Sequence, residues 1–431
     1  MGWSLSELIA EHDVPGAQVA VLANGKIEDE AAGVLSLRTR VEVTADSVFK
    51  IGSITKIWTA TLIQQLVTEG LLELDRPVRD YLPGFRLNDP AVTECLTARH
   101  LLTHTSGLDS NHYVDPGCND DAIEKFVATL ADAEHVFAPG SVFSYSNSGF
   151  VVLGRLVEVL RGKRFHDVLR ERLVTPLGLD TVATTTYEAI LHRAAVGHVE
   201  ADGSIVPTKT WAVRYFCAPS GSHLAMSARD LLAFVRLHLT DPALAALREP
   251  QLDSVPDFGG GIVGWGLGWM RHRDGVVGHT GVSKGQKAFL RVAPSAGVAV
   301  AVLTNSAGGE PMAHEIFSAV LGDLAGVETA PLPVPPANPA PIDVRRMCGV
   351  YRTTLYDTRL AVENGRGFLV RSPRDPSIGS ADRVEVVRLG DSTIITAEPT
   401  FEGHQVLSLV GSDEQGRARF LHNGAAAPRI A

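Results

Sequence analysis

Six of the residues from Glu328 to Asp343, "ETAPLPVPPANPAPID", are proline. Proline locks φ and carries no N–H, so such a run can neither continue a helix nor join the interior of a sheet. It reads as a stiff extended connector. This feature divides the 431 residues before any motif is considered: a larger unit over 1–328, a linker over 329–343 and a smaller unit over 344–431. Length agrees, because a single core stops growing at about 250 to 300 residues. With 45% hydrophobic and 20% charged residues, both units have the material to bury a core. A net charge of -10 argues against nucleic-acid binding, which needs clustered Lys and Arg.

Beyond the prolines, short β-prone runs alternate with turn pairs: "GVYRTT", "TRLAVENG", "GFLVRS", "RVEVVRLG", "STIITAE", "HQVLSLVG" and "ARFLHNG". Strands at such regular spacing predict a small antiparallel barrel or sandwich. The larger unit mixes both periodicities. "GAQVAVLANGKIEDEAAGV" predicts a hairpin turning at Asn24-Gly25. Helical patterns run over 54–70, 148–162, 227–239 and 312–326, with Gly70 ending the first and Ser227 capping the third. Strands are expected in "GWGLGWMRH", "VVGHTG", "KAFLRVAP" and "VAVAVLTN". Early strands, a helical middle, late strands and a last helix fit one sheet built from both ends of the unit, an α+β arrangement.

Ser-x-x-Lys occurs twice within ten residues, at Ser47/Lys50 and at Ser53/Lys56. A serine hydroxyl attacks a carbonyl only when a neighbouring base takes its proton, and a lysine three residues on serves if both sit on one helix face. "SVFKIG" reads as a strand, where i and i+3 point to opposite faces, so Ser47 and Lys50 are a coincidence of letters. Ser53 follows a glycine and opens the 54–70 helix, which places Lys56 one turn along. Alone this is weak, since about one chance match is expected in such a chain, and a capping Ser53 beside a solvated Lys56 is then the better explanation.

Two further segments change the weighting. "APGSVFSYSNSGF" sets Tyr145 and Asn147 between a turn and a helix, as a second proton carrier and as an amide able to reach both Lys56 and a substrate amide. Taken singly, Tyr145 can equally be packing and Asn147 a helix cap. "VVGHTGVSKG" offers His279, Thr280 and Gly281 at a strand end, where glycine lets a substrate backbone approach. Taken singly, it is an exposed turn.

The order SxxK, YxN, HxG, at separations of about 90 and about 130 residues, resembles the serine β-lactamase-related group: class C β-lactamases, D-stereospecific aminopeptidases and esterases of that fold. "LLTHTSGL", "TPLGLDTV", "PSGSHLAMSARDLLAF" and "GWGLGW" match the group's habit, and the resemblance covers about residues 5 to 325. It implies a β-lactamase/transpeptidase-like fold, an antiparallel sheet flanked by helices plus a helical subdomain. The C-terminal unit resembles the lipocalin-like barrel that some D-peptidase relatives carry. Carried over, Ser53 is the acylated nucleophile, Lys56 its base and Tyr145 the partner that shuttles the proton. Asn147, His279, Thr280, Gly281 and Val282 bind substrate, and the backbone N–H groups of Ser53 and Val282 form an oxyanion hole, each donor worth about 3 kcal/mol in barrier.

The chain departs from the pattern at His279, where penicillin-recognising enzymes usually have a lysine whose charge draws in a carboxylate. A largely neutral imidazole there favours esters and amides over β-lactams. Lys284 and Lys287 are near enough to restore a positive field, or are ordinary solvated lysines. No dedicated deacylating carboxylate is evident. The expected reaction is therefore serine acyl-enzyme hydrolysis of a small ester or amide. The alternative is transfer of the acyl group to an amine or alcohol, and a third is a non-catalytic penicillin-binding-like sensor.

Elsewhere the residues are less informative. The polar start of the 109–138 segment suits a rim or lid, with His112, Tyr113 and Cys118 as surface or substrate contacts. Trp211, Tyr215 and Phe216 form either an aromatic wall or core packing. His104 reads as structural. Cys95, Cys118, Cys217 and Cys348 show no metal spacing and are expected to be reduced and mostly buried; no motif calls for a cofactor or a metal. The acidic start carries no leader-like pattern and no membrane-length apolar run occurs, so a cytoplasmic protein is expected, with oligomer formation left open.

Overall fold

Asn24 and Gly25 adopt φ of 51° and 75°, the turn that folds β1 (Gly16–Ala23) back onto β2 (Lys26–Gly33) as expected. The computed structural model, which describes residues 3–110, 112, 114–211, 214–376 and 379–431, extends this hairpin into a seven-stranded sheet. After the two-residue strand β3 (Phe49–Lys50), which lies in a separate small sheet, the late strands are β4 (Val277–Ser283), β5 (Gln286–Ala293) and β6 (Val298–Thr304). β6 pairs antiparallel with β1, joining the two ends of the unit, and β5 and β4 follow outward. The short strands Met270–Arg271 and Gly264–Trp265 complete the edge.

Alternation along β6 divides the core. Val298, Val300 and Val302 pack with Ile316, Phe317 and Val320 on one face, and Ala299, Ala301 and Leu303 face the larger helical core on the other. That helical core contains α1 (Thr55–Thr68), α2 (Asn147–Arg161) and α3 (Ala228–Thr240), whereas α4 (Glu310–Ala325) covers the opposite face. Gly70 ends α1 at φ 71° and Ser227 caps α3 by accepting from Asp230 N–H, both as expected.

α1 differs from a surface helix because it runs through the middle of the unit, with everything from Thr55 to Ile63 buried. Its buried hydroxyls are satisfied internally: Thr59 Oγ1 donates to Pro219 O at 2.7 Å and Thr61 Oγ1 to Ile57 O at 2.8 Å. Trp58 stacks on Phe234 with ring centroids 3.8 Å apart. Trp58→Ala should therefore cost about 3 to 5 kcal/mol, measured as a loss of unfolding free energy in urea.

Residues 327 to 343 form no helix or strand, and His314 Nε2 on α4 lies 2.8 Å from Ala330 O, pinning the proline run to that helix. Beyond them, eight antiparallel strands form a nearly closed barrel: β7 (Gly349–Arg352), β8 (Tyr356–Glu363), β9 (Arg366–Pro373), β10 (Asp382–Arg388), β11 (Thr393–Thr396), β12 (Val406–Val410), β13 (Phe420–His422) and β14 (Ala426–Pro428). The seam is drawn together by Ile430 N–H to Val350 O (2.8 Å) and Arg429 Nη2 to Tyr351 Oη (2.6 Å). Sequence reading found seven of these strands and missed β14, whose Ala-Ala-Pro has no β-branched or aromatic residue. No helix among the described residues is long and apolar enough to cross a membrane.

Candidate active site

Gly52 adopts φ 51°, which a side-chain-bearing residue rarely takes, and turns the chain from β3 into a 3-10 turn (Gly52–Ile54) that runs into α1. Ser53 thus lies inside this turn and caps nothing; its neighbour Thr55 donates its hydroxyl to Gly52 O at 2.7 Å. Lys56, one turn on, is fully buried rather than solvated. Its amine lies 3.1 Å from Ser53 Oγ and donates to Asn147 Oδ1 at 2.8 Å and to Ser220 O at 2.7 Å. Burial pushes the Lys56 pKa down to about 7, so a substantial neutral fraction exists near neutral pH. A neutral amine within hydrogen-bond reach of a hydroxyl meets the distance requirement for a general base.

Asn147 is free to reach Lys56 because Ser146 caps α2, its Oγ accepting from Gly149 N–H. Tyr145 is half-buried, with the Lys56 amine 4.7 Å from its ring centroid, a cation–π distance. His104, at φ 56°, sits beneath this segment: its ring is 4.3 Å from that of Tyr145, and its Nδ1 accepts from Ser146 N–H at 3.0 Å. Burial first, then the nearby Lys56, holds His104 well below the ordinary histidine range. The structural role expected for it holds, with a specific content: it fixes the Tyr145–Asn147 segment.

His279 is neither in an exposed turn nor at a strand end; it is fully buried within β4. Its Nδ1 donates to Thr280 O at 2.8 Å, and burial pushes its pKa to about 3, so it is neutral. Beyond Gly278 the outer edge of β4 has no strand partner and instead lies against the 3-10 turn. The contact is backbone on backbone. A Cβ added to Gly281 would fall 1.8 Å from Ile51 O, and one added to Gly52 would fall 2.7 Å from Val282 N. Gly221, at φ 127°, closes the third side, where a Cβ would fall 2.8 Å from Ser53 N. Three glycines thereby let Val282 and Ser53 approach one another.

Ser53, Asn147, Ser220 and Val282 line one open cleft of about 670 Å³, whose wall also includes Lys50, Trp211, Arg214 and Cys217. Lys50 is buried with its amine on Trp211 O at 2.6 Å, and burial lowers its pKa to about 8. Its sequence partner Ser47 is turned away, accepting from Thr44 N–H at 2.9 Å. Ser47→Ala should leave acylation of the protein unchanged, checked by intact mass after treatment with an activated ester. Cys217 is pushed up to about 11 by burial and stays a thiol.

Several expectations change. Among Trp211, Tyr215 and Phe216, only Trp211 faces the cleft; Phe216 stacks on Phe126 at 4.2 Å in the core and Tyr215 packs on His223 at 4.8 Å. Among the described residues of 109–138 none lines the cleft, and Asp115 comes near enough to Cys217 of its wall to act on that thiol electrostatically. His112 turns to Thr129 Oγ1 at 2.9 Å, and Cys118 is exposed and not among the residues lining the cleft; Tyr113 lies outside the described residues. Cys95 is exposed too and Cys348 is half-buried, so of the four cysteines only Cys217 is buried, against the expectation that most would be. Lys284 is exposed on the cleft rim, but Lys287 is buried, facing Glu310 at 3.6 Å and Glu402 of the barrel at 3.5 Å. Ser220 and Gly221 are not legible as site residues in the phrase "PSGSH", because a role played by a carbonyl and a missing Cβ leaves no side-chain signature.

Comparison with known proteins bears on the family and the fold. A β-lactamase family model matches residues 4–322. Penicillin-binding protein 4 of Amycolatopsis lactamdurans is 41% identical over 360 residues, covering 80% of this chain and 94% of that protein. The crystal structure of SurE superimposes with a TM-score of 0.79 at 28% identity, covering 98% of this chain and 97% of SurE, and its complex with D-Leu gives 0.77 at 29% over the same shares. A class C β-lactamase of Rhodobacter sphaeroides shares the fold of the larger unit, with a TM-score of 0.58 at 24% identity over 70% of this chain and 92% of that one. With the family model matching residues 4–322 and a relative 41% identical over most of both chains, this chain belongs to the β-lactamase family.

Proposed function

We propose that the protein is a serine acyl-enzyme hydrolase acting on a small ester or amide, with residues 1–328 as the catalytic unit and 344–431 as an appended barrel. The observation that carries this reading is the buried Lys56 amine, held 3.1 Å from Ser53 Oγ with its pKa lowered to about 7. Lys56 takes the Ser53 proton as Oγ attacks the carbonyl. Tyr145, whose ring lies against the same amine, helps pass that proton to the leaving group. The tetrahedral oxyanion is held by the N–H groups of Ser53 and Val282, and Asn147 contacts the substrate amide. His279 and Thr280 shape the β4 side of the site, and Gly281 lets the chain of the substrate lie close. Membership of a family that includes serine hydrolases supports an enzyme over a sensor.

The D-Leu complex of SurE supports a D-configured residue in the acyl donor. A neutral His279 gives no fixed charge to a β-lactam carboxylate, which favours such amides and esters over penicillins. Transfer to an amine or alcohol is the second reading, favoured by one observation: Glu402, the one acid lining the cleft among the described residues, already faces Lys287. Incubation with activated esters of D- and L-amino acids, with and without added amine, decides between them. A Ser53 adduct that decays at a rate indifferent to amine supports hydrolysis. Faster decay with amide product establishes transfer, and absence of any adduct removes the acyl-enzyme reading.

A further inference from the structure

The segment Phe143–Ser146 carries Tyr145 but belongs to no strand of the larger unit, so its backbone polar groups need partners from elsewhere. On one side the loop at His104 supplies them, His104 O accepting from Ser144 N–H at 2.8 Å and Nδ1 from Ser146 N–H at 3.0 Å. On the other side the partners come from the barrel, at the turn between β13 and β14. Tyr145 N–H donates to Gly424 O at 2.8 Å, Ala426 N–H donates to Ser144 Oγ at 3.0 Å, and His422 Nε2 lies 2.9 Å from Phe143 O. His422 is fully buried, and its Nδ1 accepts from Gly424 N–H at 3.1 Å. That bond fixes the tautomer, so Nε2 carries the proton it donates to Phe143 O. Phe143 and Phe258 pack on the imidazole at 5.9 and 5.8 Å, which keeps water from competing for these bonds.

We propose that the barrel is part of the active site: through His422, its β13–β14 turn clamps the Phe143–Ser146 segment and so holds Tyr145 against Lys56, making His422 a positioning residue. This rests on the reading that Tyr145 takes part in proton transfer. The clamp acts on Phe143 O, Ser144 Oγ and the N–H of Tyr145 itself, and the same segment feeds directly into Asn147, whose Oδ1 is 2.8 Å from the Lys56 amine. A shift of about 1 Å in such a group costs about 100-fold in rate, so a clamp formed across two units has a direct catalytic consequence.

The test is a mutant cycle in the full chain, following Ser53 acylation by intact mass with one activated ester. His422→Ala should slow acylation by about 10- to 100-fold, and Tyr145→Phe by at least as much. In the Tyr145→Phe background His422→Ala should add less than about threefold, because a positioning residue has nothing left to position. Full additivity, or a wild-type rate in His422→Ala, overturns the proposal. Should His422→Ala lower the melting temperature so far that it does not fold, Ser144→Ala, which removes only the acceptor of Ala426 N–H, takes its place in the same cycle. The underlying reading fails separately: an adduct that persists in Ser53→Ala, or Tyr145→Phe acylating at the wild-type rate, removes the chemistry itself rather than the clamp.

Discussion

Replacing Lys56 with methionine is expected to slow acylation of Ser53 by about 100- to 10,000-fold, the range for loss of a positioned general base. The sign of the pH dependence follows from burial. With its pKa lowered to about 7, Lys56 is protonated and idle below that pH and neutral above it. The wild-type rate should therefore rise about tenfold per pH unit up to about 7 and level off beyond. The variant should lose this step. Stability carries the same signature. Between about 7 and the ordinary lysine value of 10.5 the unfolded chain holds a proton on Lys56 that the folded chain lacks, so this residue makes the fold more stable as pH rises through that window. Below pH 7 both states are protonated and the destabilisation is fully present. Melting temperatures measured from pH 6 to 10 for both proteins should show the wild type gaining relative to the variant. A variant that keeps the step in the rate profile would place the base elsewhere.

Gly281→Ala is expected to damage both stability and activity although it adds one methyl group. Its Cβ would fall 1.8 Å from Ile51 O and 2.7 Å from Ile51 C, and neither backbone atom can rotate away. β4 and the 3-10 turn must separate, at a cost of about 1 to 3 kcal/mol for an overpacked site. The same separation pulls Val282 from Ser53, and a displacement of about 1 Å between groups acting on one substrate costs about 100-fold in rate. Gly322→Ala on α4 is the control, since no atom lies within 4 Å of its Cβ and its φ is ordinary. It should leave activity unchanged and stabilise the helix by up to about 1 kcal/mol. If Gly281→Ala matched wild type in melting temperature and acylation rate, the close approach of the two backbones would not matter to the site.

The fold was readable where a local pattern had only one physical solution. The Asn24-Gly25 turn, the helix stop at Gly70, the Ser227 cap and seven of the barrel strands were all anticipated, because turn chemistry, capping and alternation act over a few residues. Readings failed where burial depends on distant parts of the chain. Phe216 and Trp211 look alike as letters, yet one stacks on Phe126 and the other faces the cleft. Lys287 looked like a surface lysine because its partners Glu310 and Glu402 lie far along the sequence.

The sequence by itself determined the two-part organisation, the fold family and the identity of Ser53 and Lys56 as a candidate pair, since helical spacing and the order of three short motifs are properties of the letters. Only the tertiary structure decided that Lys56 is buried, that Ser146 rather than Asn147 caps α2, and that His279 is a neutral core residue. It alone also brought Gly424 of the barrel to the Tyr145 backbone. Such facts depend on desolvation and on contacts between residues hundreds of positions apart, and no local pattern encodes either.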